Sequence, residues 1–201
     1  VTSPDEFVVE VLLKSGGGVP VSETVKYLTA VDEMRRHNTT SNSSYVNHTL
    51  SSVQSWDEEF QRTWRNMKRL CSTMRGALRS ITFERVTVTS GLRIPRYNAN
   101  IGHSGGATSS YHRLGLAADI SPSSQSPYEL ARKLNRVHNA SFRRLIVYPE
   151  RGFVHVSVTA EGEADPSHVL YEYQAGGSYV MISGDGPSVS PQGNPEEEAN
   201  L

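Results

Sequence analysis

The longest stretch of helical periodicity in the chain predicts a helix from about Trp56 to Arg79. Ser55, with Glu58 three residues later, forms a capping box that satisfies free backbone amides at the start of this helix. Its apolar side chains recur at intervals of three and four: Trp56, Phe60, Trp64, Met67, Leu70, Cys71, Met74 and Leu78. At this spacing the two tryptophans are core residues, and the segment is a scaffold helix with one buried face.

Alternating apolar and polar residues predict strands further along the chain. Residues 83–90 form one half-buried strand, which ends at a glycine turn. Residues 145–158 form a β-hairpin whose turn is Pro149-Glu150-Arg151-Gly152. In its second strand, one face carries Val154, Val156 and Val158, and the other carries Phe153, His155 and Ser157. The valines are expected in the core, which places His155 on the opposite face.

A second helix is predicted between these strands. Residues 121–125 are a loop, after which Ser126, Pro127 and Glu129 supply an N-cap, a proline at the first helical position and a capping glutamate. Its buried stripe is Leu130, Ala131, Leu134 and Val137.

The pattern divides the chain into three parts. Residues 1–55 are an N-terminal extension that ends in a polar loop rich in Asn, Ser and Thr. Residues 56–160 carry the predicted domain. Residues 161–201 hold a second hairpin around Gly176-Gly177 and, from 184 onward, an acidic disordered tail.

Composition narrows the function classes. The 201 residues suffice for one compact domain with an appendage. The near balance of 20 basic and 21 acidic residues gives no indication of nucleic-acid binding. The sequence contains no apolar run of about 18 residues, so no membrane span is predicted. The single cysteine, Cys71, excludes an internal disulfide framework and a cysteine-based zinc finger. The chain begins at Val1 without a signal-peptide pattern, which indicates either a removed leader or a start inside a longer product.

Three residues form a candidate metal site. His112 and Asp119 lie seven residues apart, where the chain changes from small and polar to apolar, and His155 follows on its strand. Two histidines and a carboxylate are a usual protein ligand set of an open zinc site. A buried carboxylate is costly unless it is paired or coordinated, and a dication satisfies it. On spacing alone the pattern is weak, and the alternative is ordinary solvated or core histidines; His103, in the glycine-rich loop before His112, is a further candidate.

Several segments in one order resemble a known family. They are Ser90-Gly91-Leu92-Arg93, Asn98 with a glycine-rich loop, Ser110 to Ile120, and Phe153-Val154-His155-Val156. In this order and spacing, over about residues 56–160, they resemble the zinc D-Ala-D-Ala carboxypeptidase family. Its hallmark is a serine-x-histidine, six residues, an aspartate and a later histidine on a strand.

The resemblance implies a fold, a cofactor and an activity. The fold is a small α+β domain of the hedgehog/DD-peptidase type, with a central antiparallel sheet flanked by helices. Zinc is held by His112, Asp119 and His155, and the substrates are peptidoglycan stem peptides. The same matching implies that Arg93 contacts a substrate carboxylate or carbonyl and that Ser110 hydrogen-bonds near it. A guanidinium suits this task because it is a planar, two-pronged donor.

One departure from the family pattern concerns the general base. The family's acidic base often lies three residues before the last histidine, and that position is Gly152 here. The nearest carboxylate is Glu150, five residues before His155 in the hairpin turn. Glu150 is therefore the predicted base, and its alternative role is that of a solvated turn residue.

The resulting prediction is a zinc peptidase, a D,D-carboxypeptidase or an endopeptidase, that acts outside the cytoplasm or on a virion against the bacterial cell wall. A phage-borne lytic module is one expected setting, with assembly partners bound by the N-terminal extension and the C-terminal tail. The alternative is a non-catalytic zinc-binding interaction or structural module on the same fold, which the glycine at position 152 favours.

Overall fold

The structure is a computed structural model of the chain. It describes residues 56–81, 86–93, 110–137, 142–160, 162–163, 169–175, 177–183 and 186–187. The predictions for the extension 1–55, for the glycine-rich loop with His103 and for most of the acidic tail lie outside the described residues. In the described part of the chain, neither helix combines the length and the apolar character that crossing a membrane requires.

Two helices and seven strands make up the described fold. Helix α1 spans Trp56–Ser80 and α2 spans Pro127–Val137. The strands are β1 (Val86–Ser90), β2 (Ala117–Pro122), β3 (Arg144–Tyr148), β4 (Phe153–Ser157), β5 (Val169–Tyr173), β6 (Tyr179–Ser183) and β7 (Gly186–Pro187). The predicted α+β class is confirmed.

The sheet is mixed, where a fully antiparallel one was expected. Its strand order is β1-β2-β4-β3-β5-β6-β7, and β3 pairs with β5 in parallel while the other neighbours are antiparallel. The reason lies in the ends of the strands. Ser157 at the end of β4 and Val169 at the start of β5 both pair with Arg144. β4 therefore ends and β5 begins at the same end of β3, and β5 runs in the same direction as β3.

Two local differences from the predicted elements arise from strand pairing. Ser121 and Pro122, expected in a loop, belong to β2 because β1 pairs with them through Thr87 and Val86. Within the predicted disordered tail, Gly186–Pro187 pairs with the outer edge of β6. The division of the chain at residue 160 stays a prediction.

The main core lies between the helices and one face of the sheet. Met67, Leu70 and Met74 from α1 and Leu130 and Leu134 from α2 are buried in one cluster with the inward side chains of the strands. Those side chains include Val154 and Val156, both fully buried, as the alternation in β4 predicts. Burying a side chain of this size contributes about 1.5–3 kcal/mol. The capping box of α2 is also present, since the Ser126 amide donates to Glu129 Oε2 at 2.9 Å and the Glu129 amide to Ser126 Oγ at 3.3 Å.

The opposite face of the sheet carries His155 and an aromatic cluster beside it. Ile146 pairs with His155 across β3 and β4, and with Tyr171 across β3 and β5. Ile146, Tyr171 and Tyr179 are buried together, with Tyr148, Tyr173 and Met181 packed against them. The histidine face is thus continuous with an aromatic surface over β3, β5 and β6.

Gly115 is expected to be a position where stability is lost on substitution. It has φ +73°, and a Cβ there would lie 2.8 Å from Met67 Cγ and 3.1 Å from the Thr63 carbonyl oxygen. Left-handed strain and overpacking against α1 then add, so Gly115→Ala should lower the free energy of unfolding by about 2–4 kcal/mol. Gly152→Ala is the matched control, because φ is +72° with nothing within 4 Å, and it should cost only about 1 kcal/mol. Equal losses in urea denaturation would contradict this account.

Candidate metal centre

Neighbouring strands bring two of the predicted ligands together. Asp119 of β2 pairs with His155 of β4, and side chains of directly paired residues project from the same face of a sheet. Ile120 and Val154, one residue along, form the next pair and belong to the core. Because side chains alternate along each strand, the candidate ligands Asp119 and His155 lie on one face of the sheet, and their neighbours Ile120 and Val154 lie on the core face.

The third ligand, His112, comes from the turn that leads into β2. The Leu116 amide donates to the Tyr111 carbonyl at 2.9 Å and the Arg113 amide to the Ser110 carbonyl at 2.9 Å, which closes the turn. Asn66 Nδ2 of α1 donates to the Leu114 carbonyl at 2.9 Å. The turn is thus fastened to the scaffold helix, and His112 is held over the strands.

The ligand atoms of His112, Asp119 and His155 lie within 4.8 Å of one another, and all three residues are buried. Asp119 Oδ1 is 2.9 Å from His155 Nδ1 and 3.2 Å from His112 Nε2. The two histidine nitrogens, His112 Nε2 and His155 Nδ1, are 3.1 Å apart. The structure therefore brings together all three residues that the sequence proposed as a metal site.

A backbone contact fixes the tautomer of His112. Its Nδ1 is 2.9 Å from the Gly91 carbonyl oxygen, which accepts only, so Nδ1 carries the proton and donates it. In the neutral ring, Nε2 then presents a lone pair toward Asp119 and His155. A second hydrogen bond of this kind is usual for histidines that bind metals.

Burial and charge favour the protonation states that bind a metal. Burial, together with the positive charge of Arg93, lowers the pKa of His112 from 6.5 to about 4. Burial also raises the pKa of Asp119, but its interactions with His112 and His155 outweigh burial and hold that pKa well below its usual range. At neutral pH the site thus has an ionised carboxylate and a neutral His112.

These states leave too few protons for the acceptors in the cluster. Because His112 donates its one proton to the Gly91 carbonyl, at most one proton, that of His155 Nδ1, lies among His112 Nε2, His155 Nδ1 and Asp119 Oδ1. Three potential ligand atoms that lie within 3.2 Å of one another with at most one proton between them fit a cation much better than they fit each other. Nitrogen and carboxylate donors in this number suit Zn²⁺ with a position left for water or substrate. The residues present fit a zinc ion.

Arg93 touches the cluster from the end of β1. Its Nη2 donates to Asp119 Oδ2 at 2.8 Å, and its Nε donates to Ser90 Oγ at 3.0 Å. Its backbone amide also donates to the His112 carbonyl at 3.1 Å. The two oxygens of Asp119 thus have different partners: Oδ1 faces the histidines and Oδ2 faces Arg93.

The other two predicted site residues lie at the edges of this arrangement. Ser110 is half-buried at the start of the His112 turn. Glu150 is exposed in the short 3-10 turn Pro149–Arg151, at the tip of the β3–β4 hairpin. The hairpin tip precedes Phe153, the first residue of β4, and His155 lies two residues further along that strand. The structure therefore does not bring Glu150 into the metal cluster.

Sequence reasoning missed the contacts behind the ligands. The Gly91 carbonyl, the Ser90 hydroxyl and the ion pair between Arg93 and Asp119 all come from the turn Ser90-Gly91-Leu92-Arg93. The glycine and the arginine at a strand end were visible signals. The pairing of β1 with β2, which carries this turn to the cluster, was not.

The mixed sheet of this α+β domain thus carries a buried cluster of two histidines and one aspartate, a ligand set that could hold a single metal ion. The family model described as Peptidase M15 matches residues 26–157, which is more than half of the chain. The chain therefore belongs to the peptidase M15 family, the family of the zinc D-Ala-D-Ala carboxypeptidases, and the resemblance seen in the sequence is confirmed. No curated protein and no solved structure matches the chain.

Proposed function

We propose that this protein is a zinc-dependent peptidase that hydrolyses peptidoglycan stem peptides, as a D,D-carboxypeptidase or an endopeptidase. The observation that carries the proposal is the convergence of the His112, Asp119 and His155 ligand atoms within 4.8 Å, in a chain of the peptidase M15 family. Members of this family are zinc-dependent.

In the proposed mechanism, the three ligands hold the ion and the surrounding residues handle the substrate. When bound, zinc supplies Lewis-acid polarisation of a carbonyl and a water that is nucleophilic near neutral pH. Asp119 keeps the ligand set anionic, and His112 presents Nε2 because Gly91 holds Nδ1. For substrate contact we propose Ser110, at the mouth of the His112 turn, and the guanidinium donors of Arg93 that Asp119 and Ser90 do not occupy.

For proton transfer we propose Glu150. It would take a proton from the attacking water and return it to the leaving amine, the usual duty of a general base that becomes a general acid. Its place at the hairpin tip requires the substrate-bound site to bring the carboxylate toward β4. Catalytic contacts often tighten only when substrate is bound.

The finer fold and the setting are part of the same proposal. A mixed sheet with both helices on one face is compatible with the hedgehog/DD-peptidase fold, which we propose for residues 56–160. We further propose action on the bacterial cell wall from an extracytoplasmic or virion-associated location, with the flanking parts of the chain as the regions that contact assembly partners.

Stem-peptide hydrolysis followed by mass spectrometry tests the proposal. The zinc-loaded protein is incubated with a pentapeptide that ends in D-Ala-D-Ala and with a cross-linked muropeptide, which report the two activities separately. We expect a new amine and a new carboxylate at a single bond, lost in His112→Ala and on chelation, and regained on adding zinc to the parent. Equal inactivity of the parent and His112→Ala, with zinc bound to the parent, would leave the enzyme proposal without support.

The second candidate function is a zinc-binding interaction or structural module on the same fold. Two observations favour it: glycine occupies position 152, and Glu150 is exposed at the hairpin tip. It predicts zinc binding without hydrolysis in the experiment above.

A further inference from the structure

The turn Ser90–Arg93 contacts two of the three proposed zinc ligands at once. The Gly91 carbonyl accepts from His112 Nδ1 at 2.9 Å, and Arg93 Nη2 donates to Asp119 Oδ2 at 2.8 Å. Both ligands are therefore bound on the side that faces away from the shared cluster. A third contact, from the Arg93 amide to the His112 carbonyl at 3.1 Å, joins the turn to the backbone of the His112 segment.

Arg93 is itself held in place before it reaches Asp119. Ser90 Oγ accepts from its Nε at 3.0 Å, and the arginine side chain is only 13% exposed. A guanidinium has donors in a rigid plane, so a hydrogen bond at Nε fixes the direction of Nη2. The direction fixed here leads to Oδ2 and leaves Oδ1 toward the histidines.

We infer that Arg93 is a positioning residue for the metal site: it holds Asp119 as a one-oxygen ligand, through a guanidinium oriented by Ser90. The inference rests on the proposed zinc site and goes beyond the substrate contact that the family resemblance implies for Arg93. Hydrogen-bond partners behind metal ligands typically change metal affinity or activity by about 10- to 100-fold when they are lost.

Two effects of Arg93 on zinc oppose each other. Its positive charge repels a nearby dication, whereas its hydrogen bond holds the carboxylate in the orientation that binds. The ion pair with Asp119 at 2.8 Å already offsets the charge of Arg93, and both side chains are buried enough for the orientation to persist. Holding the ligand therefore outweighs repulsion, and losing Arg93 weakens zinc binding.

Zinc affinity measured by chelator competition on the full-length protein tests the inference without an activity assay. We expect Arg93→Gln to bind zinc about 10- to 100-fold more weakly than the parent. Arg93→Lys should lose affinity as well, because a lysine keeps the charge but cannot donate to Ser90 and Asp119 from one rigid plane. Ser90→Ala should give a smaller loss. Arg132→Gln, on the exposed surface of α2 behind the sheet, is the control and should bind like the parent.

The cobalt-substituted protein gives a second readout that does not depend on folding yield. Visible absorption of the bound cobalt reports its ligand set. Because the inference has Asp119 change its mode of binding when Arg93 or Ser90 is lost, Arg93→Gln and Ser90→Ala should both shift the spectrum. An Arg93→Gln protein with unchanged or tighter zinc affinity and an unchanged cobalt spectrum, but a raised KM, would make Arg93 a substrate residue only and overturn the inference. A parent that binds no zinc would overturn both the inference and the proposed function, whereas unchanged Arg93 variants beside a zinc-binding parent overturn the inference alone.

Discussion

Replacing Asp119 with alanine is expected to weaken zinc binding by on the order of 100-fold or more and to remove peptidase activity. Structural zinc sites with four protein ligands bind with about 10–16 kcal/mol, so one ligand contributes on the order of 3 kcal/mol. Asp119 is also the only carboxylate in the candidate cluster of the described residues. Its loss leaves a +2 ion with two neutral rings and the nearby charge of Arg93.

The same substitution also affects folding, and the experiment has to separate the two effects. Asp119→Ala removes the partner of Arg93, and breaking a buried ion pair costs about 3–5 kcal/mol. Asp119→Asn keeps the shape of the side chain and a hydrogen-bond acceptor, so it should fold better and still bind zinc poorly. Isothermal titration with zinc, beside thermal unfolding of each variant, measures both quantities.

Glu163→Gln is the matched control for losing a partly buried, ion-paired carboxylate. Glu163 accepts from Tyr111 Oη at 2.9 Å, from Arg143 Nε at 3.3 Å and from the Ala160 amide at 2.8 Å. This variant should lose stability and keep zinc affinity. Parent-like zinc affinity in both Asp119 variants would contradict the proposed ligand set.

Glu150→Gln is expected to lower kcat by about 10²- to 10⁴-fold, the usual contribution of a general acid–base residue. Zinc affinity should not change, because Glu150 is exposed in the 3-10 turn at the hairpin tip and the ligands lie along β2, β4 and the His112 turn. Steady-state kinetics with a stem pentapeptide, beside a zinc titration of the same preparation, measures both.

Glu129→Gln separates this effect from the loss of any exposed glutamate. Glu129 is exposed at the start of α2, where it caps the helix, so its variant should lose a little stability and keep kcat. Parent-like hydrolysis by Glu150→Gln would remove Glu150 as the base and transfer that role to another carboxylate.

The sequence predicted the elements that depend on local pattern. The three-and-four spacing along α1, the capping box of Ser126 and Glu129, and the alternation in β4 each involve residues close in the chain, and the structure confirms them. The face of the sheet on which His155 lies follows from the apolar character of its two neighbours in the chain, Val154 and Val156. The site could therefore be proposed before its geometry was known.

Contacts between distant segments could not be predicted in the same way. No pattern in the residues around Arg144 indicates that β4 ends and β5 begins beside it. The parallel pairing of β3 and β5 was therefore missed. Likewise, Arg93 and Asp119 are 26 residues apart and meet only because β1 pairs with β2. The sequence proposed the arginine as a functional residue, but its contact with Asp119 depended on strand register.

X-ray absorption at the zinc edge of the zinc-loaded protein tests the central claim most directly. The account predicts one tightly bound zinc per chain, with two histidine nitrogens and one carboxylate oxygen at about 2.0–2.2 Å and one further light ligand. The histidine signal should be lost in a His112→Ala, His155→Ala double variant. Zinc bound with the same spectrum in that double variant, or a parent that binds no zinc, would contradict the account.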